Sequence, residues 1–115
     1  MKIALVTDTY HPQVNGVVNS IDTIAEEMEE RGNEVSIFAP TETERSHGFR
    51  SFPFYLHPDY RIAVARPSTL AELFEKEGID IVHVHSPFSL GVSAVSASKA
   101  LSLPKIGTFH TLIPE

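Results

Sequence analysis

Cysteine is absent from this 115-residue chain, so neither a disulfide framework nor thiolate chemistry is open to it. Positive charge is scarce: nine Lys and Arg stand against fifteen Asp and Glu, a formal net charge of −6. That balance argues against nonspecific binding to nucleic acid or to anionic lipid, both of which depend on basic patches. No apolar run approaches the roughly 20 residues of a membrane-spanning helix. The N-terminus enters an apolar strand directly, with no charged-then-apolar leader ahead of it. Two glycine signatures of phosphate binding are also missing, GxGxxG and GxxxxGK followed by Ser or Thr. Internal repeats, low-complexity stretches and interdomain linkers are not found either.

Hydrophobic residues make up 42% of the chain and charged residues 21%, which points to a folded domain rather than a disordered one. The length suits one domain and leaves room for a doubly wound sheet of about five strands. Three apolar, β-branched-rich runs each end in a group able to do chemistry. Residues 2–7 lead into Asp8, residues 79–84 into His85, and residues 105–109 into His110. In a parallel α/β sheet the carboxyl ends of the strands open on one shared crevice, where ligands bind. Parallel pairing therefore carries Asp8, His85 and His110 from distant parts of the chain to one rim.

The pattern predicts strands over 2–7, 34–39, 61–65, 79–84 and 105–109. A first helix follows Gly16: Val17, Val18, Ile21, Ile24, Ala25 and Met28 recur at helical spacing, with Gly32 as its stop. Its other face carries Asp22, Glu26, Glu27, Glu29 and Glu30, read as solvated surface. Thr69 and Glu72 have capping-box spacing for a second helix closed by Gly78. Ser86-Pro87 reads as the N-cap and first residue of a third helix, about 88–102, whose Gly, Ala and Ser permit close approach to the sheet. The segment 41–58 has no clear period. The order β-α-β-(β)-α-β-α-β predicts a parallel sheet with right-handed crossovers.

Several residues admit two readings. Asn15-Gly16-Val17 stands at the mouth of the first helix, where a glycine admits a ligand to the backbone and the helix N-terminus favours a phosphate; it can equally be a simple turn. His83 and His85 point to one face, and with His11 and His110 they could in principle hold zinc, but no close ligand cluster surrounds them. His83 reads instead as a buried, hydrogen-bonded histidine and His85 as a rim residue. Asp8 could bind hydroxyls, act as a base, or bond its own backbone. His110 could donate to a sugar hydroxyl, act as an acid or base, or serve as a capping histidine. Phe52, Phe54, Tyr55 and Tyr60, near Arg61 and Arg66, form either an acceptor lip or anchors for a loop.

Three ordered motifs carry a specific resemblance: residues 7–10 with 12–18, residues 80–88, and residues 107–111. Together they resemble the N-terminal, Rossmann-like domain of retaining glycosyltransferases of the two-domain GT-B class, closest to the lipid-directed diacylglycerol glucosyltransferases and phosphatidylinositol mannosyltransferases. The resemblance implies a nucleotide-sugar donor as substrate, a hydroxyl acceptor, transfer of a hexose with retention, no cofactor and no metal. It gives His110 the contact with the transferred sugar and Asn15, Gly16 and Val17 the approach to the donor phosphate. Asp8 and Tyr10 match one wall of the interdomain cleft, Ser86 and Phe88 the other, with His85 and Thr111 beside them. It also implies a cytoplasmic enzyme, peripheral at the inner face of the membrane where the acceptor is lipid. The acidic first helix speaks against that last point, because some lipid-directed members hold membranes through a basic one.

On this reading residues 1–115 are the acceptor-side half and the donor domain is absent, so the chain is expected to be inactive alone. A strand at 105–109 without a following helix predicts an exposed apolar patch near Ile106, Phe109, Leu112 and Ile113, and self-association. The main rival is a non-catalytic module of the same fold that binds a ligand or partner without turnover. A phosphoacceptor domain of the response-regulator type would need an acidic pair after the first strand, and only Asp8 is there.

Overall fold

Alternation along residues 2–6 decides the layering. Ile3 and Leu5 join one hydrophobic cluster, while Ala4 and Val6 join another on the opposite side. A strand buried on both faces must be central, with helices on each side. The computed structural model, which describes residues 1–13, 15–53, 56, 61–86 and 88–108, has that arrangement. The elements run β1 Lys2–Val6, α1 Gly16–Glu30, β2 Glu34–Phe38, β3 Ser46–His47, β4 Ser51–Pro53, β5 Arg61–Ala63, α2 Pro67–Glu77, β6 Ile81–Val84, α3 Ser89–Ala100 and β7 Lys105–Gly107.

Five strands form one parallel sheet in the order β3-β2-β1-β6-β7. Val17, Val18, Ile21 and Ala25 of α1 close one face over Ile3, Leu5 and Ile37. Leu70 and Phe74 of α2 with Leu90, Ala94 and Ala97 of α3 close the other, over Ala4, Val6, Phe38, Val82 and Val84. The fold is Rossmann-like. From β1 the chain builds outward to β2 and β3, then returns to build β6 and β7 on the other side. The gap between the carboxyl ends of β1 and β6 is thus the topological switch point, where such sheets bind ligands.

Helix boundaries differ from the sequence reading in two places, each for a physical reason. α2 begins at Pro67 behind Arg66, not at a Thr69 capping box, because a proline in the first turn needs no N–H partner there. α3 begins at Ser89 behind Phe88, and Ser86 does not cap it; the Ser86 hydroxyl is committed elsewhere. The stops at Gly32 and Gly78 hold, both with positive φ (89° and 69°), a conformation that favours glycine.

The strand read over 61–65 is only Arg61–Ala63, and it pairs antiparallel with β4 in a separate ribbon rather than joining the main sheet. Ala63 N–H turns to Ser89 Oγ (2.9 Å). β6 starts at Ile81 and β7 is described as Lys105–Gly107, each shorter than predicted. At the β7 edge Ile106 is 50% exposed, and an open groove of about 470 Å3 is lined by Val84, Val92, Val95 and Ile106 among others. The remaining residues of the expected patch, Phe109, Leu112 and Ile113, lie outside the described residues, as do Phe54, Tyr55 and Tyr60.

Candidate functional site at the sheet switch point

Asp8 is the second residue past the end of β1, and it is fully buried. Its carboxylate is filled by donors from the far side of the switch point. Ser86 Oγ donates to Oδ2 (2.7 Å), Leu90 N–H to Oδ1 (2.7 Å), Gly91 N–H to Oδ2 (3.2 Å) and Ser89 Oγ to Oδ1 (3.3 Å). Asp8 N–H in turn donates to Ser86 Oγ (3.0 Å). A helix N-terminus leaves backbone donors without intrahelical partners. Here a carboxylate some eighty residues upstream satisfies two of them for α3. Burial pushes the Asp8 carboxyl above its ordinary value, while the hydrogen bonds from Ser86, Leu90, Gly91 and Ser89 pull it back only in part. Gly91 is part of this joint: a Cβ there would overlap the Ser86 carbonyl oxygen. That is where the predicted small residues of the third helix matter.

α1 presents a different N-terminus to the same rim. Asn15 is its N-cap: Oδ1 accepts from Val18 N–H (3.0 Å) and Nδ2 donates to Thr9 Oγ1 (3.1 Å). Val17 is buried in the core, so only its backbone can face the crevice. Gly16 is exposed, and a Cβ built on it would meet nothing within 4 Å. Its φ is not in the left-handed region, which among described glycines is held by Gly32 and Gly78. Among the described residues, neither backbone geometry nor packing accounts for a glycine at 16.

The loop between them is braced from below. Thr7 Oγ1 donates to Thr9 O (2.7 Å). Tyr10 is 2% exposed and its hydroxyl donates to Asp22 Oδ1 (2.5 Å); His11 Nε2 lies 2.7 Å from Asp22 Oδ2. Burial, then the bond to Asp22 and its charge, raise the Tyr10 phenol, so it stays protonated as a donor. Thr41 Oγ1 holds the His11 carbonyl (2.6 Å). A polar cleft lined by Tyr10, His11, Asp22, Thr43 and Arg45 opens beside this brace.

The two strand-end histidines part company. His85, expected at the rim, is fully buried instead, its ring 4.1 Å from that of His83. The reason is the depth of the switch point: His85 N–H still bonds Val6 O (2.8 Å), which draws the residue in behind β1. His83 is hydrogen-bonded through Nε2 to Thr108 Oγ1 (2.7 Å), as expected, but is only half-buried. Phe88 is half-buried at the N-cap position of α3. His110 and Thr111 lie outside the described residues. Among the described residues no three His, Asp or Glu side chains group as a metal site would need.

A family model for Glycosyltransferase Family 4 matches residues 14–115. The chain belongs to that family. It is 36% identical over 96% of its length to an alpha-monoglucosyldiacylglycerol synthase of Streptococcus pneumoniae, covering 27% of that protein. It is 32% identical, again over 96% of its length, to a GDP-mannose-dependent alpha-mannosyltransferase of Corynebacterium glutamicum, covering 29% of it. A second alpha-monoglucosyldiacylglycerol synthase, from Acholeplasma laidlawii, is 26% identical over the same share of the chain and 30% of its own. The chain thus spans under a third of the length of the curated relatives it matches.

In this glycosyltransferase domain the structure brings Asp8 and Ser86 into direct contact and sets Asn15 and Gly16 on an exposed helix entry. Tyr10 lines a small cavity beside Asp8, together with Pro12, Gln13 and Arg61. Two residues escaped the sequence reading. Asp22 was counted with a solvated acidic face, yet both its oxygens are engaged; a Tyr-His pair twelve and eleven residues before a helical aspartate is a signal too common to single out. Ser89 looked like one of several small residues, and only the ribbon and Asp8 around it give its hydroxyl two jobs.

Proposed function

We propose that this chain is the acceptor-side half of a retaining GT-B glycosyltransferase that moves a hexose from a nucleotide sugar to a hydroxyl acceptor, lipid or glycan. The observation that carries the reading is Gly16, an exposed glycine at a helix entry that neither conformation nor internal packing requires. What remains as a reason is room for a ligand. A helix N-terminus offers N–H donors and partial positive charge, the complement of a diphosphate. The relatives' names support the donor class, one being GDP-mannose-dependent, and they support retention. GDP-mannose holds its sugar α to the diphosphate, and that relative is named an alpha-mannosyltransferase.

On this reading the acceptor hydroxyl attacks the anomeric carbon from the face the nucleotide leaves, the carbon–oxygen bond to the diphosphate breaks, and the hydroxyl proton passes to the departing phosphate oxygen. The N-terminus of α1 stabilises the charge gathering on the departing phosphate, a preorganised dipole aimed at developing charge. His110 orients the transferred sugar. Asp8 takes no part in proton transfer, because its oxygens are occupied by α3; it fixes the crevice wall. A nucleotide sugar is the substrate, with no cofactor, and a second domain supplies most of the nucleotide site. The 115-residue chain by itself binds without turnover. Among the described residues no helix is long and apolar enough to cross a membrane, and a lipid acceptor would be met peripherally, at the inner face of a cytoplasmic membrane.

The test is substitution of Gly16 by Trp in a protein restored to the length of its relatives, followed by hexose transfer from GDP-mannose and other nucleotide hexoses. Donor binding and transfer should vanish while the fold persists. Undiminished transfer would remove the phosphate role from this helix.

A further inference from the structure

The acidic face of α1 contains one carboxylate unlike the others. Glu26, Glu27 and Glu30 are exposed, whereas Asp22 is half-buried and both of its oxygens are taken. Its two partners are consecutive residues of the loop that leads to Gly16. Tyr10 O–H reaches Oδ1 at 2.5 Å and His11 Nε2 reaches Oδ2 at 2.7 Å. Among the described residues that loop has few other ties between Tyr10 and the helix: Tyr10 O accepts from Gln13 N–H (3.0 Å), and Thr41 holds the His11 carbonyl.

We infer that Asp22 is a positioning residue for donor binding, pinning the loop at Tyr10 and His11 so that Asn15 and Gly16 present the α1 N-terminus to the phosphate. The inference rests on the phosphate role given to Gly16 above and deepens it. Asp22 lies on the second turn of the very helix whose entry it orders, so loop and helix are locked as one unit. Tyr10 is the better half of the lock: its ring is buried against Val18, Ile21 and their neighbours, and its hydroxyl donates to Asp22 with the Arg45 guanidinium beside it. Arg45, paired with Glu29 (3.0 Å), closes the far side of the same cleft.

Electrostatics alone predicts the opposite behaviour, which makes the inference testable. A carboxylate near a phosphate site repels the ligand, so neutralising it should tighten anion binding. A positioning carboxylate does the reverse, because losing it lowers the fraction of molecules with the loop in place.

The probe is inorganic pyrophosphate, titrated into the 115-residue chain while the Gly16 amide resonance is followed by NMR below the melting temperature. Asp22→Asn should weaken pyrophosphate by about fivefold, the weight of one net hydrogen bond. Tyr10→Phe, which keeps the buried ring and changes no charge, should weaken it similarly; this variant carries the test should Asp22→Asn not fold. Glu26→Gln, one turn on and exposed, should leave affinity equal or slightly higher. Unchanged or tighter binding in either Asp22→Asn or Tyr10→Phe overturns the positioning role. No response of Gly16 in the unaltered chain overturns instead the phosphate reading beneath it, so the two failures are told apart.

Discussion

Two helices point their N-termini at the same rim, and they are finished in opposite ways. α3 is sealed from inside: a buried carboxylate some eighty residues away in the chain, though adjacent in space, takes the N–H groups of Leu90 and Gly91. α1 is capped only by its own neighbour Asn15 and begins with an exposed glycine. An anion approaching the switch point therefore meets one helix whose charge complement is already supplied and one that is still open. The comparison teaches that two helix N-termini at one crevice need not be equivalent: an internal acid closes one and leaves the other exposed.

The sharpest way to break the comparison is to unseal α3. Asp8→Ala strands two backbone N–H groups and two hydroxyls in the core, and should cost about 3 kcal/mol or more. Thermal denaturation should show the midpoint falling by more than about 10 °C; a smaller shift would mean water replaces the carboxylate without penalty. Gly91→Ala attacks the same joint sterically, through Ser86, and should cost about 1–3 kcal/mol by urea denaturation.

A third prediction follows from ionisation. The folded Asp8 carboxyl titrates above its unfolded counterpart. Asp8's contribution is thus fully present below the unfolded value and is lost as pH rises through the raised folded one. The stability difference between the wild-type chain and Asp8→Asn should accordingly be widest below about pH 4, the unfolded carboxyl's range, and narrow towards neutrality. A gap that widens with pH would show that the α3 hydrogen bonds, not burial, dominate this carboxyl. The smallest effect is expected at the open helix. Gly16→Ala should change stability by no more than about 0.5 kcal/mol, since its Cβ meets nothing. A large loss there would mean that Gly16 serves the fold, and the contrast with Gly91 would disappear.

The strands and the faces of the helices were legible because their signals are local. Ile3 and Leu5 against Ala4 and Val6, and the Val17–Ile21–Ala25 stripe, report burial through periodicity alone. The entry of α1 was legible for the same reason, with Asn15 and Gly16 beside each other in the chain. The α3 entry was misread because Ser86-Pro87 has the right local chemistry for a cap, while the group that satisfies α3 lies on another strand. His85 was placed at the rim by counting from the strand end, and its actual depth depends on the Val6 carbonyl next door. Segment 41–58 resisted reading because two- and three-residue strands are too short to show a period.

Sequence by itself determined the order of elements outside residues 41–58, the central burial of the first strand, and the membership of one rim by Asp8 and the loop before α1. These are consequences of side-chain period and turn chemistry, which act over a few residues. Only the tertiary structure decided that Asp8 belongs to α3, that Asp22 belongs to the loop before its own helix, and that Gly16 at the entry of α1 faces open space. Those outcomes depend on parallel pairing of β1 with β6, which sets residues some eighty positions apart within hydrogen-bond reach, and no local pattern records such a distance.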